Sequence, residues 1–199
     1  MHEEAYFYAS LAISISLLIL GMILKPLLLR NAFQTAWWKI SLIWVLYLFA
    51  YVSILAPLIT IINDAWVIFI ALGFTGISFI VMGVIGTFFV SDKFANSLGW
   101  FLFILTASIF VIQLIFLLAI GFTYPHYATW QLIFEIVFSV VTLIITVLTF
   151  YRISKMEVMY QNLDAQSKPK LAFILGLEIL NMFIWLFYYL LNILSWFRN

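Results

Sequence analysis

The chain has 199 residues, of which 67% are hydrophobic and only 9% charged, and its formal net charge is +1. A water-soluble domain of this size has no interior large enough to hide so much apolar surface, so the composition excludes an ordinary soluble protein. The near-zero charge leaves no footprint for nucleic acid, and the absence of cysteine excludes disulfides, thiolate metal sites and thiol nucleophiles.

A helix rises about 1.5 Å per residue, so crossing about 30 Å of hydrocarbon takes about 20 mostly apolar residues. Six such stretches occur, at residues 5–24, 38–60, 66–90, 98–121, 129–151 and 171–195. The expected fold is therefore all-α: an integral membrane protein whose single multi-pass domain, residues 1–199, is a six-helix transmembrane bundle with the lipid bilayer as its first partner.

The first span follows an acidic opening, His2, Glu3 and Glu4. It lacks the basic flank of a signal peptide and is expected to remain in the mature protein. In the second span Pro57 removes a ladder hydrogen bond beside Ser53 and Ala56, so a kink is expected there. In the third, Gly73, Gly76, Gly83 and Gly86 offer small faces that let a neighbouring backbone come close. Trp37, Trp38, Trp66, Trp100, Trp130 and Trp196 lie near span ends, where interfacial anchors sit. The polar segment 152–170 reads as a cytoplasmic loop that extends the fifth helix by a turn or two before Pro169 stops it.

Orientation follows from the cations. Lys25, Arg30, Lys39, Lys93, Arg152, Lys155, Lys168 and Lys170 fall on one side of the six-span layout, which the positive-inside rule makes cytoplasmic; Arg198 is the exception. The other side carries His2, Glu3, Glu4, Asp64 and His126. Both termini are then outside. The external loops are too short for a soluble catalytic domain, and the two histidines are too isolated for a metal site.

Two polar rows point to a bundle interior. Glu135, Ser139, Thr142, Thr146, Thr149 and Arg152 recur at steps of three and four in the fifth span. In the sixth, Glu178, Asn181, Trp185, Tyr188, Asn192 and Ser195 do the same. That spacing keeps each row on one helix face. Both faces are expected to point inward, either as polar contacts between helices or as the lining of a pathway. Leu143 and Leu186 are expected to face lipid. Glu178 lies seven residues inward of Leu171, where the sixth span begins after Lys170, roughly 10 Å into the hydrocarbon. An ionised carboxylate at that depth costs on the order of 3 kcal/mol, so Glu178 should be neutral, paired or wetted. Arg152, at the inner end of the fifth span, either snorkels to the headgroups or turns inward to pair with it. Glu135 lies nearer the outer surface.

The residues Leu175–Leu194, LGLEILNMFIWLFYYLLNIL, resemble the closing helix of the Bax inhibitor family (YccA-like, transmembrane Bax-inhibitor-motif proteins), with Glu178 at the acidic position, Asn181 at the Asn and Phe183 at the Phe. Ala71–Phe103 is similar to that family's A-x-x-x-T-A-x-x-F helix and charged turn, and Ser53–Ile62 looks like the segment before it. The resemblance spans roughly residues 40–195. The family usually has seven helices, so the six expected here imply that the first is missing. Its penultimate helix usually carries an acid where this chain has Arg152, so the family's shared-proton latch becomes an Arg152–Glu178 pair, which holds Glu178 ionised and is insensitive to pH near neutrality.

The resemblance implies a slow cation leak, calcium being the family's ion, with Glu178 and Asn181 on the ion pathway, Arg152 as latch and Glu135 as outer attractor. A bacterial source would place it in the plasma membrane. The alternative is a non-conducting regulator that binds other membrane proteins. An enzyme is not expected, since no paired acids, His cluster or Ser–His or Ser–Lys arrangement can be assembled; nor is a cofactor.

Overall fold

A computed structural model describes residues 13–28, apart from 15, 18, 22 and 26, together with 35–119 and 127–198. Among the described residues the chain is all-helical. Helix α1 is described between positions 13 and 28, followed by α2 (Trp37–Ile62), α3 (Ala65–Phe88), α4 (Asp92–Ala119), α5 (Tyr127–Gln161) and α6 (Ser167–Arg198). His2, Glu3, Glu4, Arg30 and His126 lie outside the described residues, as do positions 5–12 of the first expected span and 120–121 of the fourth.

Four helices are long and apolar enough to cross a membrane: Trp37–Ile62, Ala65–Phe88, Thr129–Met156 within α5, and Ser167–Arg198. Only 22% of the most apolar window of α2 and of α3 is buried, so most of their aliphatic and aromatic surface needs an apolar surrounding. Phe69, Ile77, Ile80 and Phe88 of α3 stand outward in this way, and all six tryptophans expected at span ends are exposed. Length, composition and exposure together describe a multi-pass membrane protein.

The helix ends differ in detail from the expected spans. Helix α2 runs through Pro57 without interruption and closes at Asn63, whose left-handed backbone (φ 42°) lets its N–H reach the Ile59 carbonyl. Ser91 opens α4, its hydroxyl accepting from the Phe94 N–H at 3.4 Å. Helix α5 continues ten residues past the expected end at Tyr151. Pro169 does not stop it; it sits in the first turn of α6, where its missing N–H costs nothing. The turn between them is fixed by Asp164, whose carboxylate accepts from the backbone N–H groups of Gln166 (3.1 Å) and Ser167 (3.2 Å).

The chain divides into two compact units. The first comprises residues 1–65 and 157–178. Its core is one face of α2, where Ile40, Ile43, Tyr47, Ala50, Tyr51, Ile54 and Leu58 are buried at helical spacing. Trp44 donates its indole N–H to the Phe173 carbonyl at 3.1 Å, and the Phe173 ring meets Trp37 and Trp44 edge-on.

The second unit comprises residues 66–156 and 179–199. Leu102, Val141 and Leu148 form its centre, flanked by Leu98, Leu105, Phe134 and Phe138. Phe79 lies edge-on to both Phe150 and Phe183, while Phe138, Tyr189 and Trp185 stack in sequence. The four glycines of α3 are not equivalent. A Cβ on Gly86 would lie 2.3 Å from the Val147 carbonyl oxygen, and one on Gly83 would make ordinary contact with the Phe150 ring. Gly73 and Gly76 face open space.

Candidate functional site

The carboxylate singled out by sequence, Glu178, accepts a hydrogen bond from Lys25 Nζ at 2.9 Å. The partner expected from sequence, Arg152, is replaced by a lysine 153 residues away in the chain. Both members belong to the first unit, Lys25 from α1 and Glu178 from α6. Their side chains are 29% and 39% exposed, so neither is sealed in protein. Within apolar helices that exposure is to hydrocarbon or to a wetted gap, and a pair at 2.9 Å offsets much of the cost of placing two charges there.

The surroundings of the pair follow from small residues. A Cβ on Gly21, one turn before Lys25, would approach the Tyr47 ring to 3.0 Å, so glycine sets the close approach of α1 to α2 there. Gly176, two residues before Glu178, leaves room for the Trp44 ring, 3.7 Å from the Cβ that it lacks. Asn181, three residues beyond Glu178 on the same helix face, is half-buried. Sequence reasoning missed Lys25 because a cation at the end of a span reads as a loop residue. The signal that pointed to it was Gly21 four residues earlier, on the same face as Lys25.

The other site candidates lie in the second unit. Glu135, half-buried on α5, accepts from Gln131 Nε2 one turn earlier at 3.3 Å. Arg152 is exposed and lines a hollow of ≈ 340 Å³ with Ala95, Asn96, Gly99 and Trp100. Nearby, the Asp92 carboxylate receives the Tyr151 hydroxyl and Lys155 Nζ, the latter at 3.3 Å. The Tyr151 hydrogen bond, and then Lys155, hold the Asp92 carboxyl below its ordinary value of 3.8.

The hydroxyl row of α5 does point inward. Ser139, Thr142 and Thr146 are buried, yet each donates to a carbonyl of its own helix, to Ile136, Phe138 and Thr142 respectively, and Thr149 donates to Ile145. The row is satisfied without water, ion or neighbouring helix. On α6 the contrast is Asn192, whose buried Nδ2 has no partner among the described residues. Leu186, expected to face lipid, is wholly buried; the apolar Leu177, Leu186, Phe187 and Leu191 of α6 are buried, whereas every member of its polar row is only half-buried.

No protein-family model matches the chain, and no curated protein sequence matches it. The resemblance to the Bax inhibitor family therefore rests on the residues quoted above. Among the described residues no three His, Asp or Glu side chains gather as a metal site.

Proposed function

We infer that this is a Bax-inhibitor-like multi-pass membrane protein that permits a slow cation leak, calcium being the cation implied, with Glu178 as the group that attracts or refuses the ion. The observation that carries this reading is the Lys25–Glu178 ion pair between helices otherwise apolar on that stretch. While Lys25 holds the carboxylate, its charge is cancelled and a cation finds no attractor. When the flexible lysine stem swings toward the headgroups, Glu178 becomes a fixed anion. Lys25 thus takes the latch role expected of Arg152. Asn181, one turn along the same helix, and Glu135 are the further residues that the resemblance puts on the pathway. On this reading both termini are outside, the cationic turns are cytoplasmic, and the membrane is the plasma membrane if the source is bacterial.

A second reading, a non-conducting regulator that binds other membrane proteins, is favoured by the α5 hydroxyls, which are all engaged by their own backbone. Calcium flux into liposomes carrying purified protein separates the two. The leak reading expects slow flux from wild type, faster flux from Lys25→Met and little from Glu178→Gln. Flux no greater than that of protein-free liposomes for all three proteins would leave the regulator reading. A conducting wild type indifferent to both changes would remove Glu178 from the pathway.

A further inference from the structure

We propose that the hollow lined by Arg152, Asn96, Gly99, Ala95 and Trp100 is a binding site for the phosphate headgroup of an anionic membrane phospholipid. The inference goes beyond the leak reading and needs only that the chain sits in a bilayer. It starts from Arg152, which carries five N–H donors in a planar fork and has no hydrogen-bond or ion-pair partner among the described residues. The acid on the neighbouring face of α4 does not serve it. Asp92, one turn before Ala95 and Asn96, is already occupied by the Tyr151 hydroxyl and the Lys155 ammonium. The guanidinium therefore opens into a ≈ 340 Å³ hollow, flanked by the exposed Asn96 amide.

The depth fits a lipid. Arg152 lies four residues before Met156, the end of the membrane-crossing stretch of α5, about 6 Å along the axis. Trp100, 69% exposed, is the residue type that sits at headgroup level with its ring toward the glycerol and upper acyl chain. Arg152 and Lys155 against Asp92 leave a local excess of one positive charge, which favours a net anionic headgroup over a zwitterionic one carrying the same phosphodiester. The floor is Gly99, where an added Cβ would meet nothing within 4 Å, so the space belongs to the hollow and is not filled by a neighbour.

Native mass spectrometry of the full chain, released from detergent in an equimolar mixture of phosphatidylglycerol and phosphatidylcholine, reads the site directly. Wild type should retain phosphatidylglycerol about tenfold over phosphatidylcholine, because the choline ammonium meets the positive charge beside the hollow while the phosphodiester is common to both. Arg152→Gln should bring the ratio near unity, and Arg152→Lys, which keeps the charge without the fork, should fall between. Gly99→Leu fills the hollow without touching any charge and should lose the preference while keeping the thermal stability of wild type. Lys168→Gln, in the other unit, should keep the wild-type ratio. The proposal is overturned if Arg152→Gln and Gly99→Leu retain lipid as wild type does. It is overturned equally if Lys168→Gln loses as much as Arg152→Gln, which makes the effect bulk surface charge, or if excess inorganic phosphate displaces the lipid, which makes the ligand a free anion.

Discussion

The two units of the chain are held by different chemistry. In the first, α1, α2 and α6 meet through an ion pair, Lys25–Glu178, and through the Trp44 indole on the Phe173 carbonyl. In the second, Gly86 lets α3 reach the Val147 backbone, aromatic rings interlock, and a row of hydroxyls turns back on its own helix. Lipid tails are as apolar as leucine, so helices in a bilayer gain little from hiding apolar surface from one another and depend on such close or polar contacts. The second unit solves the problem with nothing left chemically open in its hydroxyl row. The first solves it with two opposite charges, which an ion can address.

The largest expected effect tests the close-packed half of this contrast. Gly86→Ala must push a methyl into a backbone carbonyl that cannot rotate away and should destabilise by about 2–3 kcal/mol in thermal unfolding in detergent. Gly73→Ala, with open space around it, should be neutral or slightly stabilising, since alanine is the better helix former. Equal losses at both positions would break the distinction between the two glycine pairs.

A smaller effect concerns pH. The Asp92 carboxyl is held below its ordinary value, so its stabilising contribution is present above pH 3.8 and is lost as the pH falls through its lowered folded value. Unfolding temperature should therefore be insensitive to this group between pH 5 and 8 and decline below 3.8, and Asp92→Asn should flatten that acid limb. The exposed pair sharpens the comparison because its contribution near neutrality, though present, is small, unlike that of the half-buried one. Smallest of all is Thr146→Val, which removes a hydroxyl bonded only to its own helix and should change stability by under about 0.5 kcal/mol. A loss above 2 kcal/mol would mean that the row carries contacts between helices.

The apolar stretches were legible because length against bilayer thickness is a strong constraint, and 38–60, 66–90, 129–151 and 171–195 each coincide with the body of a long helix. Helix α5 outruns its span because the stretch after Tyr151 is polar and carries no hydropathy signal, while Asp164 rather than Pro169 marks the turn. The inward face of the α5 row was also legible, since its period is local. Its hydrogen-bond partners were not, because a hydroxyl that bonds back four residues and one that bonds across helices occur at the same spacing. Leu186 departs from expectation because the most buried side chains of α6 are apolar, while its polar stripe stays half-buried. Lys25 could not be assigned to Glu178 because nothing in one sequence couples positions 153 apart.

The measurement closest to the central claim is a double-mutant cycle on Lys25 and Glu178, read as thermal stability in detergent. Each single change to leucine leaves a half-exposed charge among apolar helices and should cost about 2 kcal/mol, between the values for exposed and fully buried pairs. The double Lys25→Leu with Glu178→Leu should cost less than either single change, because both charges leave together. Losses that simply add would contradict the account, since two side chains that add do not meet.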